Sequence, residues 1–269
     1  MIEATPGARA RLVGIGAFAL DMDGTTYLGN RLLPGAAEFI ARLEVRGIPY
    51  VFLTNNSSKS RREYREKLAR LGLPVREDAV MTSGEATIRY LHRERPGARV
   101  FLVATPSFEA EAREAGIPLV EPVDAEVAVL AFDTGLTFQR LADLCDLVRR
   151  GVPFLATHPD VNCPVDGGYI PDVGALLACV EKSTGRGPDL VVGKPGPLMV
   201  SALAEKLALP PDRIAYIGDR LYTDVAMART SGMLAVLVLS GETSMDDLPG
   251  SPFQPDLIAA GLGELALLV

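Results

Sequence analysis

Long apolar runs are missing from this 269-residue chain. No stretch reaches the ~18–20 residues that a membrane-spanning helix requires. The charged start, Met1 to Arg11, is not followed by an apolar segment of signal-peptide length before Asp21. A cytoplasmic location and no membrane partner are therefore expected. Cysteine is scarce. Cys145, Cys163 and Cys179 are odd in number and lack C-x-x-C spacing, which argues against a disulfide framework or a zinc site and for reduced thiols. Positive charge is also short, with 27 basic against 34 acidic residues and a net charge of −7. That sign does not favour nucleic acid or an anionic membrane as partner, though it leaves room for a local basic pocket around an anionic substrate. Internal repeats and low-complexity segments are absent as well.

What is present is a core-building composition, 48% hydrophobic and punctuated by 26 glycines and 20 prolines. The length allows one large domain or two ordinary ones. Apolar runs of strand length lie at Ala17–Leu20, Tyr50–Leu53, Val100–Val103, Val127–Phe132, Phe154–Ala156, Leu190–Val192, Ile214–Ile217 and Leu234–Leu239. Helical periods fall between several of them. Ala36, Phe39, Ile40 and Leu43 make one stripe, ended by Gly47. Leu141, Leu144, Cys145 and Val148 make another, with Thr137 as its N-cap and Gly151 at its end. Pro197, Leu203 and Leu207 lie in a further helix that stops before Pro210-Pro211, and Asp172 opens one over Val173–Val180. Near-continuous apolar strands alternating with helices predict an α/β fold with a parallel sheet covered on both faces.

Four segments carry chemistry. Asp21-Met22-Asp23-Gly24-Thr25 leaves a strand end with two carboxylates two residues apart. Open α/β sheets build their sites outside the carboxyl ends of their strands. Paired acids there are costly unless a cation or a catalytic task compensates; a turn with solvated acids is the other reading. Thr54-Asn55-Asn56-Ser57-Ser58 ends the next strand in small polar groups beside a helix start. A hydroxyl and backbone N–H groups in that place suit an anion, and a strand end with a serine N-cap suits the pattern equally. Gly193-Lys194-Pro195 puts an ammonium after a third strand, where it would hold a phosphate oxygen, balance carboxylates or simply meet solvent. Gly218-Asp219-Arg220-Leu221-Tyr222-Thr223-Asp224 adds two acids, the second of which is also a natural helix-start residue.

Taken together, four acids, a lysine and a threonine are expected past the carboxyl ends of one sheet. That set suits phosphoryl transfer through an aspartyl-phosphate. A carboxylate nucleophile needs a cation to screen its repulsion from phosphate, and hard oxygen ligands suit Mg²⁺. A hydroxyl, N–H groups and an ammonium would face the developing charge. A second acid would protonate the leaving oxygen and then activate water.

The spacing of these segments implies an insertion. The steps of 33 residues (21 to 54) and 25 residues (194 to 219) fit single strand–helix units, but 140 residues (54 to 194) do not, since one unit takes roughly 30 residues. The division predicted is a core of residues 1–86 and 186–269 with a second α/β domain, 87–185, inserted.

These four ordered motifs resemble those of the haloacid dehalogenase-like (HAD) hydrolases. Their details, with Thr157-His158-Pro159-Asp160, Gly174-Ala175-Leu176 and Val238-Leu239-Ser240-Gly241, resemble the NagD-like, large-cap class IIA phosphatases. The resemblance implies a three-layer, Rossmann-like core carrying an inserted α/β cap. It implies Asp21 as nucleophile and Asp23 as general acid/base. Mg²⁺ would be held by the Asp21 carboxylate, the Asp23 carbonyl and Asp219, with Asp224 supporting that site. Thr54, Asn55, Asn56 and Lys194 would bind the phosphoryl group. An acid at Asp23 favours a phosphatase over a dehalogenase.

The implied substrates are small phosphomonoesters of nucleotide, sugar phosphate, phosphoglycolate or 4-nitrophenyl phosphate type. A phosphotransferase on the same aspartate, or a non-catalytic protein that binds phosphorylated ligands, are the alternatives. A homodimer through the cap is a further implication. In the cap, His158, Asp160 and Asp133 are candidate substrate contacts. His158 stands where related enzymes usually have asparagine, and Pro171-Asp172-Val173-Gly174 replaces a glycine-richer pattern. His92, in a charged helix end, is expected to be solvated.

Overall fold

A computed structural model describes residues 3–165 and 167–269; Met1, Ile2 and Asp166 lie outside the described residues. The chain forms two compact units. One comprises the chain up to Thr54, Tyr64–Met81 and Val200–Val269; the other comprises Asn55–Glu63 and Thr82–Met199. The sequence-based boundaries fall at 86/87 and 185/186. The second unit also takes in 82–86 and 186–199, together with the short stretch after Thr54.

The first unit is built on a seven-stranded sheet in the order Glu3–Ala4, Leu257–Ala259, Leu234–Val238, Ile214–Gly218, Ala17–Leu20, Tyr50–Thr54, Val80–Thr82. The four pairings that join Leu257–Ala259 through to Tyr50–Thr54 are parallel, while the short Glu3–Ala4 strand adds antiparallel at the edge. Every residue of Ala17–Leu20, Tyr50–Thr54, Ile214–Gly218 and Leu234–Val238 is buried. Both faces of the sheet are therefore covered, as continuous apolar strands require. Phe18, Leu20, Tyr50, Phe52, Ile217 and Val236 share one core with Phe39, Ile40 and Leu43 of the Ala36–Val45 helix. The predicted stripe of that helix is its buried face.

Register is what gathers the acids. Leu20 pairs with Ile217 on one side and with Phe52 on the other. The residues that follow, Asp21, Asp219 and Thr54, thus leave the sheet along one edge. The chain departs to opposite sides of Ala17–Leu20, which makes that edge a topological switch point.

The second unit has a four-stranded parallel sheet, ordered Leu190–Val191, Phe154–Ala156, Val127–Leu130, Val100–Val103. Its helices include Ser83–Glu94, Pro106–Glu114, Phe138–Arg149 and Val173–Thr184. Leu144, Cys145, Leu147 and Val148 face a core that contains Phe154 and Val180. The Thr137 hydroxyl accepts the Arg140 N–H at 3.3 Å, capping its helix as expected. An antiparallel hairpin, Asn162–Val165 with Gly168–Pro171, was not legible in the sequence because its residues are mostly exposed and lack apolar alternation.

One expectation is corrected here. The strand before Lys194 does not extend the sheet that carries Asp21. Leu190–Val191 is an edge strand of the four-stranded sheet, in register with Leu155 and Ala156. Sequence order suggested otherwise, but the main-chain groups of Phe154–Ala156 and the adjoining apolar core supply the partners. Among the described residues, no helix is long and apolar enough to cross a membrane. His92 Nε2 donates to the Ala115 carbonyl, 2.9 Å away, on an exposed surface.

Candidate active site

Asp21, Asp219 and Asp224 converge at the edge of the seven-stranded sheet. Each can offer a carboxylate oxygen such that all three atoms lie within 4.8 Å of one another, and all three residues are buried. The backbone sets this up. The Asp21 N–H donates to the Ile217 carbonyl at 2.8 Å, so the chain is still paired as it leaves the strand. It then turns tightly: the Thr26 and Tyr27 N–H groups donate to the Met22 carbonyl at 2.8 and 3.0 Å, and the Thr26 hydroxyl donates to the Asp21 carbonyl at 2.8 Å.

Asp219 is held from two sides. Its Oδ1 accepts the Thr25 hydroxyl at 3.3 Å and its Oδ2 accepts the Glu242 N–H at 2.7 Å. Gly24 and Gly241 flank it so closely that a Cβ at either position would run into its carboxylate. Gly24 also has φ +84°, a conformation that side chains rarely adopt. Asp224 sits in a wide turn, Leu221–Val225, where the Asp224 and Val225 N–H groups both donate to the Arg220 carbonyl at 3.1 Å. Such π-type turns recur at functional sites. Asp224 Oδ1 accepts the Tyr216 hydroxyl at 3.2 Å and Oδ2 accepts the Arg220 N–H at 3.1 Å.

Asp23 is half-buried, and its Oδ2 accepts the Tyr27 hydroxyl at 3.0 Å. Burial, then the charge of Asp23, pushes the Tyr27 phenol well above its ordinary value, so it remains a donor. Arg220 is a neighbour that the sequence reading quoted without giving it a task. Burial works against its charge, but Asp21, Tyr222, Glu242 and Asp219 raise its pKa above the ordinary value. Its Nε lies 2.9 Å from the Glu242 carboxylate. Its position directly after Asp219 was the available signal.

The donor set fits a divalent cation. Buried carboxylates this close repel one another unless positive charge is brought in, and an all-oxygen set is what Mg²⁺ prefers. Asp21, Asp219 and Asp224 can each offer it one oxygen. Asp219 and Asp224 each have a protein donor on both carboxylate oxygens.

Thr54 is buried at its strand end. The other expected phosphoryl-binding residues belong to the second unit. Asn55 and Lys194 are brought together there: the Asn55 Oδ1 accepts the Lys194 N–H at 2.7 Å and its Nδ2 donates to the Lys194 carbonyl at 3.0 Å. The Asn55 Nδ2 also donates to Asp160, at 3.1 and 3.2 Å from its two oxygens. Asn56 turns its side chain to local partners; its Oδ1 accepts the Ser58 N–H at 2.9 Å and hydroxyl at 2.7 Å, and its Nδ2 lies 3.5 Å from the Cys163 sulfur. His158 is fully buried, with Nε2 at 2.9 Å from Asp172 Oδ1 and Nδ1 at 3.0 Å from the Thr157 hydroxyl. Asp133 accepts the Gly135 N–H at 2.9 Å and an Arg140 N–H at 3.1 Å; burial raises its carboxyl above the usual range despite these bonds.

Fold, acid cluster and motif order define a hydrolase of one class. The family model for haloacid dehalogenase-like hydrolases matches residues 18–118, and a HAD-hydrolase-like model matches residues 191–265. The chain is 32% identical over 248 residues to the acid sugar phosphatase of Staphylococcus aureus strain MRSA252, spanning 92% of this chain and 95% of that one. It belongs to the haloacid dehalogenase-like hydrolases. Its likeness to solved structures points to the NagD-like branch. The 4-nitrophenylphosphatase from Thermotoga maritima is 44% identical with a TM-score of 0.92, over 96% of this chain and 98% of that one. NagD from E. coli K-12 is 31% identical with a TM-score of 0.86, over 93% and 98%.

Proposed function

We propose that this enzyme is a Mg²⁺-dependent phosphatase that hydrolyses small phosphomonoesters through an aspartyl-phosphate on Asp21. The observation that carries the proposal is the buried cluster of Asp21, Asp219 and Asp224 at the switch point of the parallel sheet. Support for the substrate class comes from relatives named as an acid sugar phosphatase and a 4-nitrophenylphosphatase.

In this reading the Asp21 carboxylate attacks phosphorus and the ester oxygen leaves. Asp23 gives that oxygen a proton, then takes one from the water that attacks the phosphoryl-enzyme. Tyr27 steadies the Asp23 carboxyl by its hydroxyl bond. Thr54, Asn55, Asn56 and Lys194 are the proposed phosphoryl-binding groups. Asp21, the Asp23 carbonyl and Asp219 would hold Mg²⁺, with Asp224 in support. When bound, that ion supplies positive charge against the nucleophile–phosphate repulsion and the developing equatorial charge. The second unit is the cap of this reading, with His158, Asp160 and Asp133 in it. A small phosphorylated metabolite as partner, a cytoplasmic location and a homodimer belong to the same proposal.

The test is phosphate release from a panel of nucleotides, sugar phosphates, phosphoglycolate and 4-nitrophenyl phosphate, with Mg²⁺ or with EDTA, and Asp21→Asn as control. Metal-dependent release that the variant loses is the expected result. Well-folded protein that releases phosphate from none of them overturns the proposal.

A further inference from the structure

In the second unit, four buried polar side chains form one directed run of hydrogen bonds. The Phe132 N–H donates to the Ser57 hydroxyl at 3.0 Å, Ser57 and Thr157 hydroxyls are 3.0 Å apart, the Thr157 hydroxyl is 3.0 Å from His158 Nδ1, and His158 Nε2 is 2.9 Å from Asp172. Donor and acceptor counting gives each bond its direction. In the tautomer with its proton on Nε2, His158 donates to Asp172 and presents Nδ1 as an acceptor. The Ser83 hydroxyl, 3.4 Å from Nδ1, has a single proton and donates it to the Asn55 carbonyl. Thr157 is left as the donor to Nδ1, and Ser57 donates in turn to Thr157.

The Asp172 end of this run is stitched to the loop that carries Asp160. The Asp172 N–H donates to the Val161 carbonyl at 2.9 Å and the Gly174 N–H to the Asp160 carbonyl at 2.7 Å. Asp172 also caps the Val173–Thr184 helix, accepting the Val173 N–H at 2.7 Å. Asp160, so placed, receives the Asn55 amide, whose remaining groups grip the Lys194 backbone. His158 and Asp172 are both buried and are bonded to each other.

We propose that His158 and Asp172 are a positioning pair: their buried hydrogen bond sets the place of Asp160, and through it the hold of Asn55 on Lys194, for phosphoryl binding. The proposal rests on the phosphatase reading of Asn55 and Lys194. Without a fixed Asp160, one Asn55 amide proton loses its partner and the amide no longer holds one orientation. Small displacements of binding groups are costly in this kind of site.

The test is the affinity for inorganic phosphate, measured by calorimetry with Mg²⁺ present, so that no turnover is needed. Asp172→Ser keeps a hydroxyl N-cap for the helix but is too short to reach His158. His158→Asn places an amide near the Nδ1 position, short of Asp172. His158→Gln puts an amide N–H near the Nε2 position. Expected are a weakening of about tenfold in Asp172→Ser and His158→Asn, the loss of one buried charge-assisted bond, and recovery of most of it in His158→Gln. The thermal midpoint of Asp172→Ser should stay within a few degrees of wild type. Unchanged phosphate affinity in Asp172→Ser and His158→Asn overturns the proposal, as does a His158→Gln protein as weak as His158→Asn. Wild type that binds phosphate but hydrolyses no ester sinks the phosphatase reading alone, and the affinities still decide the role of the pair.

Discussion

Asn55 holds Lys194 by both of its backbone polar groups, taking the N–H at 2.7 Å and giving to the carbonyl at 3.0 Å. The two residues are 139 apart in the chain, and the contact is buried. Replacing Asn55 by alanine removes both bonds. The expected cost is about 2–6 kcal/mol, from roughly 1–3 kcal/mol for each of the two buried groups. Asn55→Asp should be worse, because it sets a carboxylate oxygen against both the Lys194 carbonyl and Asp160. Denaturant unfolding of both variants measures this; an aspartate variant more stable than the alanine one contradicts the donor assignment.

Asp21→Asn should remove turnover while the protein stays folded. The amide keeps the shape of the buried side chain but lacks a nucleophilic charge, and it relieves repulsion from Asp219. Phosphate release under single-turnover conditions, alongside circular dichroism, provides the check. Retained activity would remove Asp21 from the role of nucleophile.

Asp219 has no slack around it, since Gly24 and Gly241 both approach its carboxylate. Gly241→Ala is expected to displace that carboxylate and raise the Mg²⁺ concentration needed for half-maximal activity by about tenfold, roughly 1.4 kcal/mol. Asp219→Ala should raise it much further or abolish activity. Mg²⁺ titrations of both variants decide the point, and curves that overlay wild type would exclude Asp219 from metal binding.

Glu63 makes an acid-sensitive contribution to stability. Its carboxylate accepts the Ser60 N–H at 2.8 Å, the Ser60 hydroxyl at 2.9 Å and the Ser107 hydroxyl. Burial opposes ionisation, but these bonds hold its carboxyl below the usual range. A depressed folded pKa stabilises above the unfolded value, about 4.3, and the gain is lost as pH falls through the folded value. Glu63→Gln should therefore be less stable than wild type at pH 7, with the difference shrinking below about pH 4. Urea midpoints from pH 3 to 7 test the sign; a gap that widens at low pH reverses the assignment.

The strand ends were legible because a buried parallel strand must be apolar throughout, so the change from Leu20 to Asp21 or from Gly218 to Asp219 marks where the sheet stops. The helix stripes at Phe39, Ile40 and Leu43 and at Leu144, Cys145 and Val148 were readable for the same reason. Lys194 was misplaced because Leu190 and Val191 are apolar enough for either sheet. Nothing local distinguishes an edge strand of one from a strand of the other. Arg220 was named without a task, and the bond between His158, read as a substrate contact, and Asp172, read as a helix cap, was not legible, since a charge or a ring nitrogen finds its partners only in the groups folded against it.

By itself, then, the amino-acid order determined the alternation of strands and helices and which acids stand at the strand ends. These follow from periodicity and from which side chains tolerate burial. Tertiary structure alone decided which strands share a sheet, that Leu20 registers with Ile217 so that Asp21 meets Asp219, and that Asn55 grips Lys194. Such relationships join residues far apart in the chain, and their energies depend on distances of a few ångströms that no local pattern encodes.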